Sequence, residues 1–354
     1  MSDLNRLIPA QANLRPRRQA TKTMSLRICM IGCGSFAQLG HGPAQRKYAG
    51  SHPDVQLAAC CDVDENRARE YARAFGFARH STDISAMLAA EKPAAVVVAV
   101  PPAMTCGIAS LVLERGFPLL MEKPPGMSPA ELGRLIAAAE KGGGRAQVAF
   151  NRRYMPVMRK AQEILAAGIR PESVGRIDYE MIRFDRWEPD FSTTAIHALD
   201  AALFLARSPF LAAEIRLQTQ KSGDREAMNV AIEAECAAGT WVRVNIQPVA
   251  GVNKDSARIH AVGQSLAINI PVSPQSTTDG ALEHWRGDKL ITTFSDRACD
   301  VVEKLGVFGE TEAFLNAVRS GSSLAPGLRD CHQQVALMEA IRLRRSGLIR
   351  FERR

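Results

Sequence analysis

The sequence predicts two packed domains: an α/β domain with a doubly wound parallel sheet over residues 25–146, and an α+β domain over residues 147–346 with an antiparallel sheet. Three observations predict this fold class. Short apolar runs alternate with helical patterns in the first part, a glycine turn follows the first run, and the second part changes to period-two alternation. The flanking segments 1–24 and 347–354 are expected to be a flexible basic extension and a basic tail.

The first apolar run, Leu26–Ile31, is typical of a buried strand and turns sharply at Gly32. The missing side chain of Gly34 lets the backbone approach a pyrophosphate, and small Ala37 lets the next helix press against the strand. Free N–H groups at the start of that helix form an anion site. The residues predicted to contact a dinucleotide here are Gly32, Gly34, Ser35, Phe36 and Ala37.

A second apolar run, Val55–Cys61, ends in Asp62. A carboxylate at this place accepts hydrogen bonds from the ribose hydroxyls of the cofactor and repels a 2′-phosphate, so the sequence favours NAD over NADP. Arg67 and Arg69 on the following helix leave NADP open. The alternative interpretation of Asp62 is a helix N-terminal cap.

Three further apolar runs, 94–100, 118–121 and 147–150, complete the strands predicted for the first domain. Pro101 and Pro102 stop the first of them at the carboxyl edge of the sheet, where open α/β sheets bind their ligands. Helical patterns separate the runs, so the strands are expected to lie parallel.

The second domain is predicted to begin with helices and to continue with strands. In the segment 241–247, Val242, Val244 and Ile246 alternate with polar residues, as in an antiparallel sheet that has one polar face. The predicted helices are 156–167, 195–205, 309–319 and 329–345, and the predicted strands are 215–220, 229–236, 241–247, 257–262 and 266–270.

Five short motifs occur in the order and spacing of one family: Gly32-x-Gly34-x-x-Ala37, Asp62, Glu122-Lys123-Pro124, 151–156 and His197-x-x-Asp200. Over about residues 26–345 the chain resembles the glucose–fructose oxidoreductase / inositol dehydrogenase family. The resemblance implies a Rossmann domain followed by a domain with a large open antiparallel sheet, often used for dimer formation. A homodimer or homotetramer through this sheet is therefore expected. Family members mostly oxidise or reduce a secondary hydroxyl of sugars, inositols, nucleotide sugars or related polyols.

Lys123 and His197 are the predicted catalytic residues. Oxidation of a secondary alcohol removes a hydroxyl proton while a hydride leaves for the nicotinamide, and Lys123 is suited to bind that oxygen and stabilise alkoxide character. His197 is the natural base. Alone, a lysine at a strand end is more often a surface residue, but the proline that follows Lys123 and the nucleotide turn in the same domain favour the catalytic role. A helical histidine is more often a core residue, and for His197 the resemblance favours the catalytic role.

The surroundings of His197 depart from the family pattern. The resemblance implies an aspartate four residues before this histidine, and Thr193 stands there. Threonine cannot stabilise an imidazolium by charge, so either Asp185 or Asp190 takes the role, or His197 acts with less help, or the hydride chemistry is weakened or lost. Asp200 can share the helix face of His197 and orient it, or it is only structural.

The resemblance also implies contacts from the segment after the first domain. Arg153 matches a family arginine near the nicotinamide half of the cofactor, and Tyr154 is expected beside the substrate. The segment 183–187, with Arg183, Asp185 and Arg186, is expected to line the substrate pocket. Its two arginines indicate an acidic or phosphorylated substrate, and strand-end surface charge is the alternative. The other predicted contacts are Pro101, Pro102, Glu122 and Lys123 to the cofactor, and Thr193, His197 and Asp200 to the substrate.

Charge and composition restrict the possible functions. The net charge of +8 lies at the ends, because residues 1–24 carry +4 and residues 342–354 carry +5, which leaves −1 for the rest. This distribution argues against a nucleic-acid groove. Eight scattered cysteines suit a reducing cytoplasm and show no metal-site spacing, and no run has transmembrane length. We therefore expect a cytoplasmic protein without a metal, a nucleic-acid partner or a membrane partner.

Together, the motifs and the resemblance predict an NAD(P)-dependent oxidoreductase. It is expected to act on a secondary hydroxyl or ketone of a sugar, cyclitol or related polyol. The alternative is a non-catalytic dinucleotide-binding sensor or regulator, since the resemblance extends to a yeast galactose co-repressor. Thr193 favours the regulator, whereas Lys123 and His197 favour the enzyme.

Overall fold

The computed structural model describes residues 25–272 and 279–352. The predicted basic extension, residues 1–24, lies outside the described residues. Within them the chain forms a six-stranded and a nine-stranded sheet, with helices packed against both. No helix in the described ranges is both long and apolar enough to cross a membrane.

The six-stranded sheet is parallel and forms the centre of the first domain. Its strands are β1 (Leu26–Ile31), β2 (Val55–Cys61), β3 (Arg79–Ser81), β4 (Ala95–Val98), β5 (Leu119–Glu122) and β6 (Ala146–Ala149). The spatial order is β3-β2-β1-β4-β5-β6, so the direction of winding reverses between β1 and β4, where open α/β sheets bind ligands. The doubly wound sheet predicted from the sequence is confirmed.

Five helices cover this sheet: α1 (Gly42–Ser51), α2 (Glu65–Phe75), α3 (Ile84–Glu91), α4 (Pro102–Glu114) and α5 (Pro129–Gly142). The helix that contains α1 is entered through a π-helical turn, Ala37–His41, which the sequence did not predict. Such turns insert one extra residue and often occur at functional sites. Here the turn carries buried His41 toward the end of β5.

The second domain is built on the nine-stranded sheet, whose order is β14-β13-β12-β11-β7-β10-β9-β8-β15. Its strands are β7 (Val174–Phe184), β8 (Phe210–Ser222), β9 (Arg225–Cys236), β10 (Trp241–Ala250), β11 (Lys254–Ala261), β12 (Gln264–Ile270), β13 (Ala281–Arg286), β14 (Lys289–Ser295) and β15 (Gly347–Arg350). All neighbours are antiparallel except β7 and β10. Buried and exposed residues alternate along β10, as period-two patterning predicts.

One face of this sheet is covered by helices, and the other is open. The helices of this part are α6 (Pro156–Gly168), α7 (Ser192–Ala206), α8 (Val301–Lys304), α9 (Val307–Ser320) and α10 (His332–Arg342). α7 packs on β7 and β10 and supplies a row of fully buried apolar residues to the core. α9 instead returns to the first domain, where Phe314 and Leu315 join the cluster around Ile28 and Met30.

The structure differs from the expected domain limits at two places. β6 (Ala146–Ala149) completes the parallel sheet, so the first domain extends past residue 146. Gly347–Arg350, expected in a basic tail, form β15 and pair with β8 at the edge of the large sheet. Leu348 and Ile349 are two consecutive apolar residues, a pattern too short to predict a strand without knowledge of the neighbouring edge.

Candidate active site

The glycine turn after β1 has the geometry of a dinucleotide site. Gly32 has a φ of +90°, and a Cβ there would lie 2.1 Å from the carbonyl oxygen of Ala99, so only glycine fits. A Cβ on Gly34 would meet no atom within 4 Å, so this residue leaves open space beside the helix start. The turn therefore fits a cofactor pyrophosphate that approaches the backbone closely.

Asp62, at the end of β2, is fixed beside this turn. Its carboxylate accepts hydrogen bonds from the backbone N–H of Cys33 (2.8 Å) and of Asp64 (3.0 Å), and pairs with Arg67 at 3.1 Å. Asp64, not Asp62, caps α2 by accepting from the N–H of Arg67. Asp62 and Arg67 line a cavity of about 220 Å³ that also includes Gly32 and Gly34.

A second cavity of about 440 Å³ lies on the other side of the turn, between the two domains. It shares Gly34, Ala99, Val100 and Pro101 with the first cavity. The two cavities thus form one extended cleft over the switch point of the parallel sheet. The predicted residues that line its second part are Gly34, Ser35, Phe36, Ala37, Pro101, Pro102, Glu122, Lys123, Arg186 and His197.

Lys123 extends from the end of β5 into this cleft and connects the two domains. Its Nζ donates a hydrogen bond to the backbone carbonyl of Thr193, 3.2 Å away in the first turn of α7. Burial lowers the pKa of Lys123; Glu122 opposes this effect, while Arg152 and Arg186 add to it. The amine is therefore easier to deprotonate than an exposed lysine.

His197 reaches the same cleft from α7 of the second domain. Burial, followed by the charges of Arg152, Lys123 and Arg183, holds the pKa of His197 well below its usual range. Its buried Nδ1 has no hydrogen-bond partner among the described residues. The ring is thus a neutral imidazole that can accept a proton. No carboxylate among the described residues orients it.

Arg152 was not predicted to line the cleft, and the acidic partner that it shares with Arg183 was not predicted either. Arg152 and Arg183 line the cleft and share one buried carboxylate, Asp255, at 2.9 Å and 2.6 Å. The hydroxyl of Tyr179 donates to the same carboxylate at 2.9 Å. Burial alone would raise the pKa of Asp255, but the two arginines lower it overall.

Glu122 has a partner that sequence reasoning also missed. Its Oε1 lies 2.9 Å from Nε2 of His41, which the π-helical turn buries completely. Phe36 packs edge-on against His41 and is itself half-exposed in the cleft. An inserted residue at the helix start is the local cause of this contact, and no motif signals it.

Three residues predicted at the site lie elsewhere. Arg153 turns away from the cleft and forms a two-bond pair with buried Asp200, at 2.9 Å and 2.6 Å. Asp200 therefore holds Arg153 and Gln334 rather than His197. The hydroxyl of Tyr154 donates to the carbonyl of Ala325 at 2.6 Å, and both residues line a separate cavity. Arg153, Tyr154 and Asp200 are thus not among the described residues that line the cleft.

The remaining predicted residues lie at the edge of the cleft. Arg186 lines it, pairs with Glu188 and lies over the ring of Phe191. Asp185 is exposed and accepts from Trp187 and Arg225, so it does not serve His197. Thr193 contributes its backbone carbonyl to Lys123. Its neighbour Thr194 lines the cleft in its place.

The matching family model is that of the oxidoreductase family with an NAD-binding Rossmann fold, over residues 26–150. Inositol 2-dehydrogenase 1 of Saccharopolyspora erythraea is 24% identical over 90% of this chain and 93% of its own length. Over residues 26–150, which form the first domain, the chain is therefore similar to the Gfo/Idh/MocA family of oxidoreductases.

One further relative matches about half of the chain, and two solved structures match most of it. D-apiose dehydrogenase of Paraburkholderia graminis is 29% identical over 52% of either chain, so the match spans about half of that relative. Levoglucosan dehydrogenase, solved with NADH and levoglucosan, has a TM-score of 0.77 and 18% identity over 93% of this chain and 100% of its own. A Gfo/Idh/MocA oxidoreductase from Vibrio cholerae has a TM-score of 0.74 and 21% identity over 90% and 98%. These structures share the fold of this chain.

Proposed function

We propose that this protein is an NAD-dependent dehydrogenase that oxidises a secondary hydroxyl of a sugar, cyclitol or related polyol, or reduces the corresponding ketone. The supporting observation is that Lys123 and His197, from different domains, line one cleft that continues across the glycine turn to Asp62. The named relatives and solved structures include dehydrogenases of D-apiose, inositol and levoglucosan.

The cofactor supplies the hydride acceptor, and the protein supplies binding and proton transfer. The open space at Gly34 and the helix start beyond it would hold the pyrophosphate. In the oxidation direction NAD⁺ would accept the hydride of the substrate carbon, and His197 would accept the proton of the hydroxyl group. Lys123 would donate a hydrogen bond to the same oxygen and stabilise its developing negative charge.

Asp62 supports NAD as the cofactor. Its carboxylate is anchored by two backbone N–H groups and therefore stays in place when a ribose binds. A 2′-phosphate at this position would meet a negative charge. Arg67 is already paired with Asp62 and Asp64, and Arg69 bonds to Asn66, so neither arginine is free for the 2′-phosphate of NADP.

The alternative function is a non-catalytic dinucleotide-binding regulator. Thr193 favours it, since His197 has no carboxylate partner among the described residues. The common cleft of Lys123 and His197 favours the enzyme, because a regulator needs neither a proton acceptor nor an alkoxide donor there. A panel of sugars, cyclitols and polyols, followed by NAD⁺ reduction at 340 nm, distinguishes the two. An enzyme reduces NAD⁺ with at least one compound; tight NADH binding with no reduction by any of them contradicts the proposal.

We further propose that the protein acts in the cytoplasm as a homodimer or homotetramer. All eight cysteines are free thiols, and seven are buried, as suits a reducing compartment. The open face of the nine-stranded sheet carries exposed Trp241 and Trp285 among charged residues, a composition suited to a protein interface. Light scattering with size-exclusion chromatography tests the assembly, and a monomer at micromolar concentration contradicts it.

A further inference from the structure

The substrate side of the cleft is dominated by positive charge. Lys123, Arg152, Arg183 and Arg186 line it, and Glu122 is the one acidic residue among the described lining residues. Two of the arginines, Arg152 and Arg183, are almost fully buried. A neutral sugar offers these groups no counter-charge.

The carboxylate behind the arginines does not balance them. Asp255 is the single acidic partner of both Arg152 and Arg183 among the described residues, so this buried cluster keeps one positive charge in excess. The Asp255 oxygens already accept three hydrogen bonds, from the two arginines and from Tyr179. An unbalanced buried charge is costly unless a further anion pairs with it.

The arginines also keep donors available. Within the described part of the chain, Arg152 donates only through Nε and Arg183 only through Nη1. Arg186 is held in place by Glu188 and by the ring of Phe191, with its side chain 42% exposed. Fixed guanidinium groups with free N–H donors match the paired oxygens of a carboxylate or phosphate.

We propose that Arg152, Arg183 and Arg186 form an oxyanion subsite, so that the preferred substrate is a sugar or polyol that carries a carboxylate or a phosphate. This inference rests on the proposed function for the role of the neighbouring Lys123 and His197. The subsite belongs to the second domain, whereas the cofactor pyrophosphate would lie at the glycine turn of the first. The two anions therefore occupy different parts of the cleft.

The test measures binding to the protein saturated with NADH, so that the cofactor site is already filled. Isothermal titration calorimetry compares neutral and anionic partners: glucose with glucuronate and glucose 6-phosphate, and galactose with galacturonate and galactose 1-phosphate. At least one anion should bind about tenfold more tightly than its neutral partner, as a charge-assisted pair provides. The carboxylate and phosphate arms decide which oxyanion the subsite takes.

Two substitutions and one control variant show which residues cause the preference for the anion. Arg186→Gln should reduce the preference for the anion, measured as the ratio of the dissociation constants of the neutral and anionic partners, about tenfold. Arg176→Gln is the matched control: Arg176 is on β7, also pairs with an acid two residues later, Asp178, and lies outside the cleft. It should keep the preference. Arg183→Lys, which retains the charge but loses the planar fork, should weaken anion binding to a smaller extent.

Equal or tighter binding of the neutral partner in every pair would overturn the oxyanion subsite. An anion preference that survives Arg186→Gln and Arg183→Lys would overturn it as well. The proposed dehydrogenase activity is tested separately. If no compound gives NADH at 340 nm but the anion preference is lost in Arg186→Gln, the dehydrogenase activity is contradicted and the oxyanion subsite is still supported.

Discussion

The protonation state of His197 is set by its neighbours. Burial and the positive charges of Arg152, Lys123 and Arg183 all disfavour the imidazolium, so its pKa lies well below the ordinary value of 6.5. His197 is therefore neutral and able to accept a proton over the whole physiological pH range. The acid limb of the kcat/KM profile for oxidation is expected below pH 6.5, where His197 finally becomes protonated.

Thr193→Asp tests this electrostatic account. The substitution places a carboxylate one helical turn before His197, stabilises the imidazolium and raises its pKa, so the acid limb of kcat/KM should move to higher pH. The backbone carbonyl that accepts from Lys123 is retained. Thr193→Asn, similar in shape but uncharged, should leave the limb in place. A limb that stays fixed in Thr193→Asp, or moves equally in both variants, would show that another group titrates.

Asp62→Asn tests cofactor choice. The amide oxygen can still accept from the N–H of Cys33, which keeps the turn in place, but the negative charge is lost. Calorimetry should show NADH binding more tightly than NADPH to the unchanged protein, and a difference reduced by about tenfold in the variant. Asp64→Asn, which removes the other carboxylate paired with Arg67, should retain the difference. Tighter NADPH binding by the unchanged protein would contradict the role of Asp62.

Local elements were predictable because their causes are local. The glycine turn, the strand that ends at Lys123 and the apolar helix of His197 each follow from patterns a few residues long. The short 3₁₀ turn Asn151–Tyr154 was not predictable in this way. Its conformation directs Arg152 into the cleft and Arg153 toward α7, one position away from the assignment that the family resemblance gives. No pattern within the motif indicates which arginine faces the ligand.

Asp200→Asn tests the structural role of the Arg153 pair between the 3₁₀ turn and α7. Asp200 is 1% exposed and accepts two hydrogen bonds from Arg153 and one from Gln334. Loss of its charge leaves a mostly buried guanidinium uncompensated, so unfolding free energy should fall by about 3 kcal/mol. Urea denaturation measures this change. Asp178→Asn, which breaks the partly exposed pair with Arg176, is the control and should change the unfolding free energy by close to zero. A change below about 1 kcal/mol would contradict the structural role.

At the scale of the molecule, the site depends on contacts between distant parts of the chain. Lys123 bonds to a carbonyl 70 residues away, Arg152 to a carboxylate 103 residues away, and Arg153 to one 47 residues away. The return of α9 to the first domain and the pairing of β15 with β8 are equally non-local. A single sequence carries the chemistry of such partners but not their pairing. The fold class, the catalytic candidates and two arginines of the pocket were therefore predictable, whereas the position of Arg152 and its pairing with Asp255 required the structure.

In the proposed reaction, the two domains present Lys123 and His197 to one substrate oxygen. A double-mutant cycle tests this most directly. It compares kcat/KM of the unchanged protein, Lys123→Met, His197→Ala and the double variant. NADH formation is followed at 340 nm with the best substrate of the panel. Each single substitution should lower kcat/KM by roughly 100-fold or more while NADH affinity changes little, and the double variant should be hardly worse than the poorer single variant. A single variant that keeps normal turnover, or losses that multiply in the double variant, would contradict action on a common oxygen.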